Sequence, residues 1–353
     1  MSATLKDIAA TTGLSVTQVS RALNDHDDVS AETKARVRDA ARALDYRPNL
    51  SARRLASGRS GIVGLVLPPE GRTPRDSMVV QMVRGLSAEF SRMGRLFVLH
   101  AAEPEEDVVA VHGRLIDGGS LDGFVLIEPV PDDPRIAYLR SRGVPLVLHG
   151  RTEDRPNYPF FDLDNREVGR RLTRMLLERG HRRIGFVNGL PEMCYVMRRS
   201  EGWQEALREA GVAPAPELQE FGAMSESHGA LATLRMMSES GPRPTGLIAG
   251  NMLIAKGIYG ALSMLGLRVP EDVSVVVHDD QLPGEDLMAM PATSGTRSPL
   301  AESWAPLARA LIGAIENRPL AELQETGQFE VVERGSVAAP GPEFRTASEP
   351  FRA

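Results

Sequence analysis

Residues 4–24 read TLKDIAATTGLSVTQVSRALN and contain two helix-start patterns eleven residues apart. Thr4 with Asp7 and Ser15 with Gln18 have the three-residue spacing of capping boxes, in which side chains satisfy the free backbone donors at a helix start. Gly13 supplies the turn between the two helices. Helices joined by so few residues cross at a steep angle, so the stretch predicts a helix-turn-helix.

A third cap at Ser30 predicts a longer helix that ends before Pro48, which gives residues 1–47 one small three-helix core. The outward face of the second helix consists almost entirely of hydrogen-bonding groups and contains no acid. Its members are Val16, Thr17, Gln18, Ser20, Arg21 and Asn24. Such a face suits base edges and phosphates. The alternative is a generic three-helix bundle whose polar face is merely solvated.

Charge is distributed unevenly along the chain. The 353 residues carry a net charge of −6, yet residues 1–60 contain ten Lys and Arg against seven Asp and Glu. The remaining residues contain 31 basic and 40 acidic side chains. Within the basic front, residues 48–60 include Arg53, Arg54 and Arg59 and no acid at all. A segment of this kind suits the phosphates of a nucleic acid.

Three stretches within residues 4–68 resemble the N-terminus of the lactose-repressor (LacI/GalR) family of bacterial transcription regulators. They are TLKDIAATTGLSVTQVSRALN, VSAETKARV and LDYRPNLSARRLASGRSGIVGLVLP, and the likeness continues more loosely to about residue 336. The resemblance implies that Val16, Thr17 and Arg21 read bases in the major groove of double-stranded DNA. It also implies a set of residues that contact or position the DNA backbone: Ser15, Gln18, Ser20, Asn24, Ser30, Thr33, Tyr46 and Asn49. For Thr33 and Tyr46, a packing role is an equal alternative.

Residues 49–57, NLSARRLAS, resemble the hinge helix of this family, which enters the minor groove as a pair across a dimer. The matching residues are Ala52, Arg53, Arg54 and Leu55, and Leu55 corresponds to the wedge that separates a central base step. A helix this short is marginal by itself, so we expect it to order only when held. The alternative is a flexible linker with incidental charge.

Beyond residue 60, short apolar runs alternate with helical segments, as in proteins with parallel sheets. The first series is 61–67, 95–100, 123–128 and 144–149, and the second is 182–188, 245–250 and 273–279. The predicted fold class is a small all-α helix-turn-helix domain followed by an α/β core. By family resemblance, that core is similar to periplasmic binding proteins, with two doubly wound parallel-sheet subdomains.

The expected domain boundaries follow from these patterns. They are 1–47 for the DNA-binding domain, 48–60 for the hinge, 61–336 for the effector-binding and dimerisation core and 337–353 for a disordered tail. The N-subdomain of the core is expected at about 61–157 and 292–322, and the C-subdomain at about 158–291 and 323–336. The tail is expected to be disordered because it is rich in Pro, Ala and Gly.

Several functional classes lack their characteristic residues. The sequence contains no GxGxxG, Walker A, HExxH or GxSxG motif, and its seven histidines have no metal-ligand spacing. No cofactor, metal or enzymatic activity is therefore expected. The one cysteine, Cys194, cannot form an internal disulfide, and no apolar run is long enough for a membrane span. The start has no secretory pattern, so we expect a bacterial cytoplasmic, nucleoid-associated protein.

In the core, the family resemblance implies a ligand site at the strand ends, where open α/β sheets bind ligands. Arg199 in RRSEGW matches an arginine that holds ligand oxygens, Asn251 matches a ligand-binding asparagine, and Asp279 matches a carboxylate that accepts from sugar hydroxyls. Each of these residues has a loop cap or a surface ion pair as its alternative role. Trp203 is expected in the core.

Some positions depart from the family pattern. Met252 replaces a common acid, His278 replaces an aromatic or small residue, and Trp304 stands where a glycine is usual. Met224 falls near the position of a stacking aromatic in some sugar-binding members. We include Met224 and His278 in the predicted effector site, and the missing aromatic leaves the effector's identity open.

These patterns predict a homodimeric repressor of a carbohydrate uptake or catabolism operon, released from a palindromic operator by a small sugar-like effector. A tetramer and a co-repressor-dependent regulator that responds to a non-sugar metabolite are the alternatives. An enzyme of sugar metabolism is disfavoured because no nucleophile or base dyad is visible. A transport protein is disfavoured because it would need an export signal and would not use residues 4–57.

Overall fold

The computed structural model describes residues 3–23, 26–46, 59–67, 76–103, 105–118, 121–238, 242–279 and 292–341, apart from the side chains of 76–78 and 279. The chain divides into two compact units, residues 1–60 and 61–353.

The described residues of the first unit form three helices, α1 (Leu5–Thr12), α2 (Val16–Leu23) and α3 (Ala31–Ala43). The Asp7 carboxylate accepts from the Thr4 amide at 2.7 Å and from its hydroxyl at 2.8 Å. Gly13 ends α1 in the left-handed region, with φ of 68°, which glycine adopts without steric strain. The predicted helix starts and turn are therefore confirmed.

One small apolar core joins the three helices. Ile8 of α1, Val19 and Ala22 of α2 and Val37 of α3 are fully buried. Their spacing is helical, so each helix buries one face and leaves the other to solvent.

The second unit begins with a six-stranded sheet, in the order β11-β5-β4-β3-β1-β2. All five strand pairings are parallel. The strands are β1 (Ile62–Leu67), β2 (Leu96–Ala101), β3 (Gly123–Leu126), β4 (Leu146–His149), β5 (Phe160–Leu163) and β11 (Gln324–Gly327). The sheet packs against α4 (Asp76–Arg92), α5 (Val108–Asp117), α6 (Pro134–Ser141) and α11 (Trp304–Ile315), and together these elements form the N-lobe.

A second six-stranded sheet has the order β12-β10-β9-β8-β6-β7 and is parallel except for the β10–β12 pair. Its strands are β6 (Ile184–Asn188), β7 (Gln219–Phe221), β8 (Gly246–Ala249), β9 (Ser274–Asp279), β10 (Ser294–Arg297) and β12 (Glu330–Val332). The helices α7 (Asn165–Leu177), α8 (Cys194–Glu209), α9 (Glu226–Ser238) and α10 (Met252–Met264) complete the C-lobe. The predicted pair of parallel-sheet lobes is confirmed.

The chain passes between the lobes at places that differ from the expected boundaries. Phe160–Leu163 and Gln324–Gly327 pair with each other in the N-lobe sheet, although we expected both in the C-subdomain. Ser294–Arg297 pairs with β9 in the C-lobe, although we expected it in the N-subdomain. These strands are short and partly polar, so they give no apolar run that marks their sheet. Hydrogen bonds to strands that are distant in sequence decide which sheet each of them joins.

The expectation of a disordered tail is wrong for residues 337–341. Val337 packs against the apolar cluster between α7 and α8, and the Ala338 amide donates to Ser274 Oγ at 3.0 Å. The buried Ser336 hydroxyl donates to the Val275 carbonyl at 2.7 Å. Two serines thus attach the segment to β9, which composition alone does not reveal. Residues 342–353 lie outside the described part of the chain.

Candidate functional site

The outer face of α2 presents the residues predicted to read bases. Val19 and Ala22 point into the three-helix core, whereas Val16, Thr17 and Arg21 are exposed. Val16 is a large apolar side chain with 40% of its surface exposed. An exposed β-branched residue beside hydroxyl and guanidinium groups is able to contact a thymine methyl and polar base edges.

Arg21 is held by a neighbour in the same unit. Its Nε donates to Asp28 Oδ1 at 3.2 Å, and its Nη2 lies 2.6 Å from Asp28 Oδ2. The hydrogen bond to Arg21 lowers the pKa of the Asp28 carboxyl, and the same bond raises the pKa of Arg21. The guanidinium is therefore charged, and its hydrogen bonds to the Asp28 carboxylate orient it.

Several residues predicted to contact the DNA backbone also cap helices. The Ser15 amide donates to Gln18 Oε1 at 3.0 Å, and the Gln18 amide donates to Ser15 Oγ at 3.2 Å. The Thr33 amide donates to Ser30 Oγ at 3.2 Å. Capping fixes helix starts, whose dipoles and amides favour phosphate.

The other predicted DNA contacts have mixed outcomes. Tyr46 packs against the three-helix core, in agreement with its alternative role, and Ser20 is half-buried. Outside the described residues lie Asn24, Asn49, Ala52, Arg53, Arg54 and Leu55.

The core contains a cavity of about 190 Å³ at the carboxyl ends of the strands of both sheets. The carboxyl ends of the parallel strands of both sheets meet at this cavity. Ligands of open α/β folds usually bind at this end of the strands. Four predicted effector residues line it together: Arg199, Met224, Asn251 and His278. The fifth, Asp279, ends β9, and its side chain lies outside the description.

Arg199 of α8 is buried and fixed from two sides. Its Nε donates to Asn165 Oδ1 and its Nη1 donates to the Gly250 carbonyl, both at 2.8 Å. The guanidinium carbon lies 5.3 Å from the ring centre of Tyr195, a cation–π distance. The planar donor group is thus oriented before any ligand binds.

Asp162 brings a carboxylate into the same cavity, although the sequence does not predict it there. Its Oδ2 accepts from Arg151 Nε at 2.8 Å, and its Oδ1 accepts from Asn165 Nδ2 at 3.1 Å. Burial raises the pKa of this carboxyl to about 6, although Arg151 opposes the shift. Asn165 therefore connects an N-lobe carboxylate to the C-lobe Arg199.

Two further polar groups come from the C-lobe. Asn251 Oδ1 accepts from the Ile254 amide at 2.9 Å and so caps α10, as its alternative role predicted, while its side chain also lines the cavity. His278 Nδ1 lies 3.0 Å from Thr296 Oγ1. Burial, assisted by the charge of Arg199, holds the pKa of His278 well below its usual value. The imidazole is neutral at neutral pH.

Aromatic rings form one wall of the cavity on the N-lobe side. His149 lies 6.4 Å from Phe161 and 6.3 Å from Trp304 between ring centres. Burial lowers the pKa of His149 to about 4, so this ring is also neutral. Met224 lines the cavity without a ring, as predicted, and Trp203 is buried in the core of the C-lobe, also as predicted.

Several cavity residues are not predicted from the sequence: Glu128, His149, Phe161, Asp162, Asn165 and Tyr195. A usable signal existed for His149 and Glu128, since they end the predicted strands at 144–149 and 123–128 and strand ends line such sites.

Among the described residues, no group of three or more His, Cys, Asp or Glu side chains is arranged to hold a metal ion. Over the same ranges, none of the helices has the length and apolar character that crossing a bilayer requires.

A helix-turn-helix unit joined to a two-lobed core with a strand-end cavity defines a DNA-binding regulator with a ligand pocket. Comparisons with known proteins agree. Residues 4–49 match "Bacterial regulatory proteins, lacI family", and residues 173–337 match "Periplasmic binding protein-like domain".

The chain is 36% identical to the HTH-type transcriptional regulator AglR of Rhizobium meliloti (strain 1021), over 97% of this chain and 96% of that one. It is 33% identical to the HTH-type transcriptional regulator RafR of Escherichia coli, over 81% and 84%. A solved "transcriptional regulator CelR-cellobiose complex" matches with a TM-score of 0.68 and 28% identity, over 95% and 99%. The chain belongs to the LacI family of bacterial regulatory proteins. It is a DNA-binding transcriptional regulator and not an enzyme.

Proposed function

We propose that the protein is a repressor of a carbohydrate uptake or catabolism operon, released from a nearly palindromic operator by a small sugar-like effector. The observation that carries the effector class is the cavity, where Asp162, Arg199 and Asn251 offer an acceptor and two kinds of donor. The hydroxyl groups of a sugar donate and accept hydrogen bonds, so they can pair with the acceptor and with the donors. The solved structure of the CelR relative, a complex with cellobiose, supports the same class.

On DNA, we assign base reading to Val16, Thr17 and Arg21, since α2 exposes them together. Ser15, Gln18, Ser30 and Thr33 hold the helix starts toward the phosphate backbone. Phosphate contacts position a protein on DNA, whereas base contacts specify the sequence. In the hinge, Arg53 and Arg54 with the wedge Leu55 stay a prediction from family resemblance.

We further propose a homodimer, whose two-fold axis requires a nearly palindromic site. Strand β2 lies at the edge of the N-lobe sheet and exposes Leu96, Val98 and Leu99, and Val80 of α4 is exposed as well. Exposed apolar side chains on a sheet edge favour association. Because the protein binds DNA, we propose that it acts in the bacterial cytoplasm, at the nucleoid.

In the cavity, we assign effector contacts to Arg199, Asn251, His278 and Asp279, with Met224 as an apolar neighbour, and we add Asp162. The neutral His278 accepts or donates one hydrogen bond without adding a charge, which suits an uncharged ligand.

The test combines two measurements on the full chain. A melting screen of sugars and sugar alcohols identifies compounds that raise the melting temperature by mass action. A gel shift with a duplex selected from a random-sequence library then measures operator binding with each such compound. A sugar that stabilises the protein and releases the duplex is the expected result, and Asp279→Asn should respond less.

The rival function, co-repressor-dependent regulation by a non-sugar metabolite, gives opposite results. A stabilising compound would then tighten the complex with the duplex, and the sugars would leave the melting temperature unchanged. Stabilisation of Asp279→Asn equal to that of the parent would remove this carboxylate from the site.

A further inference from the structure

We propose that Trp304 is the stacking platform for the effector, so that the bound molecule presents the apolar C–H face of a pyranose ring to the N-lobe. The inference deepens the proposed function and rests on it. It moves the aromatic contact away from the position of Met224, where we had expected a stacking ring in sugar-binding relatives.

Trp304 lines one wall of the cavity. It begins α11, directly after the chain returns from the C-lobe, and it belongs to the N-lobe core cluster with only 7% of its surface exposed. Because it lines the cavity, the small exposed part faces the ligand space. A largely buried ring with one accessible part loses little conformational entropy when a ligand packs on it.

Gly85 of α4 makes room for this indole. A Cβ atom added at Gly85 would lie 2.2 Å from Trp304 Cδ1 and 2.4 Å from Nε1, far inside contact distance. The indole therefore occupies the space that any side chain at position 85 would take. Behind the ring stands helix α4, so the ring cannot retreat when a ligand presses on it.

The other walls carry groups for the edge of a sugar. Arg199 and Asn251 reach the cavity from the C-lobe, and Asp162 reaches it from β5. A pyranose has hydroxyls around its edge and C–H groups on its faces, so it matches a ring platform combined with polar groups. A flexible open-chain polyol lacks the flat apolar face that an indole requires.

Fluorescence tests the contact directly, because the chain contains two tryptophans and Trp203 is buried in the C-lobe core. A Trp203→Phe protein leaves Trp304 as the sole indole emitter. We expect methyl α-glucoside, maltose or cellobiose to change its emission at the concentrations that raise its melting temperature. Sorbitol should change neither.

Substitutions measure how much the ring contributes. Trp304→Leu should weaken the affinity for the stabilising pyranoside by about tenfold or more, whereas Trp304→Phe should weaken it less. Gly85→Ala keeps the tryptophan but displaces its indole, because the added Cβ atom takes part of the same space. The affinity of this variant for the pyranoside should therefore fall too. The double variant Gly85→Ala/Trp304→Leu should bind no worse than Trp304→Leu.

Circular dichroism and duplex binding without sugar establish that each variant is folded. If Trp304→Leu does not fold, Trp304→Phe and the fluorescence of the Trp203→Phe protein decide. A pyranoside that binds the parent and Trp304→Leu equally, with unchanged emission from Trp304, overturns this inference and leaves the proposed function standing. Failure of every pyranoside, or binding of adenosine in their place, overturns the sugar effector as well.

Discussion

Arg21 and Asp28 form a two-point ion pair, with Nε to Oδ1 at 3.2 Å and Nη2 to Oδ2 at 2.6 Å. Arg21 is the cation on the exposed face of α2, and Asp28 follows in the loop before α3. A guanidinium has five N–H donors, so a carboxylate held by Nε and Nη2 leaves the Nη1/Nη2 edge for the O6 and N7 atoms of a guanine. The ion pair with Asp28 therefore orients Arg21 and is compatible with base reading.

The first prediction concerns this ion pair. Asp28→Asn should increase the affinity for DNA of any sequence, because it removes a negative charge that repels phosphates. Arg21→Ala should reduce the preference for the selected duplex over a scrambled one more than it reduces binding to the scrambled duplex. Gel shifts on both duplexes measure these effects. Equal losses on the two duplexes for Arg21→Ala would exclude base reading.

The second prediction concerns pH. The pKa of Asp162 is raised to about 6 by burial, so its ionised fraction grows as pH rises from 5 to 7. An ionised carboxylate accepts hydroxyl hydrogens better than a protonated one, so effector affinity should rise by roughly tenfold over this range. His149 and His278 stay neutral because their pKa values are lowered. Titration calorimetry of Asp162→Asn should give a flat profile; a slope equal to that of the parent would assign the dependence elsewhere.

The third prediction concerns Asn165, which joins the two lobes by accepting from Arg199 and donating to Asp162. Asn165→Ala should lower the free energy of unfolding by about 1–3 kcal/mol, since it leaves buried groups without their partner. It should also weaken effector binding, because Arg199 loses its orientation. Denaturant unfolding and melting shifts measure the two effects. Asn165→Asp serves as a control that keeps the acceptor for Arg199 but loses the donor to Asp162.

The fourth prediction concerns the hinge, residues 49–57. Leu55→Ala should weaken binding to the selected duplex by a few kcal/mol and abolish its bend, while the three-helix unit stays folded. Circular-permutation gel shifts report the bend. Unchanged affinity together with an unbent duplex for the parent would support the flexible-linker alternative.

The fifth prediction joins the cavity to the hinge. Effector binding should unfold the paired hinge segments, because so short a helix is only marginally stable. If the effector weakens duplex binding by some factor, linkage requires the duplex to weaken effector binding by the same factor. Hydrogen exchange at residues 49–57 on the duplex, with and without the stabilising sugar, measures the switch. Constant protection during release from DNA would indicate dissociation of the dimer instead.

The sequence by itself determined the features that depend on neighbouring residues. The caps at Thr4, Ser15 and Ser30 and the turn at Gly13 were predicted because their bonding partners lie within a few residues. The strands with continuous apolar runs were also predicted, because such a run is itself a local pattern. A strand that is buried on both faces of a parallel sheet requires it. Family resemblance added Arg199, Met224, Asn251 and His278, which the fold does bring to one cavity.

Only the tertiary structure decided which sheet holds the short strands β5, β10 and β11, how residues 337–341 attach to β9, and which side chains complete the cavity. Asn165 and Arg199 are 34 positions apart, and Gly85 and Trp304 lie in separate parts of the chain. Neither pair leaves a local pattern of caps or apolar spacing. Their contacts exist because the chain passes through each lobe more than once. The packing of the whole core then brings backbone segments that are distant in sequence close enough for their side chains to touch.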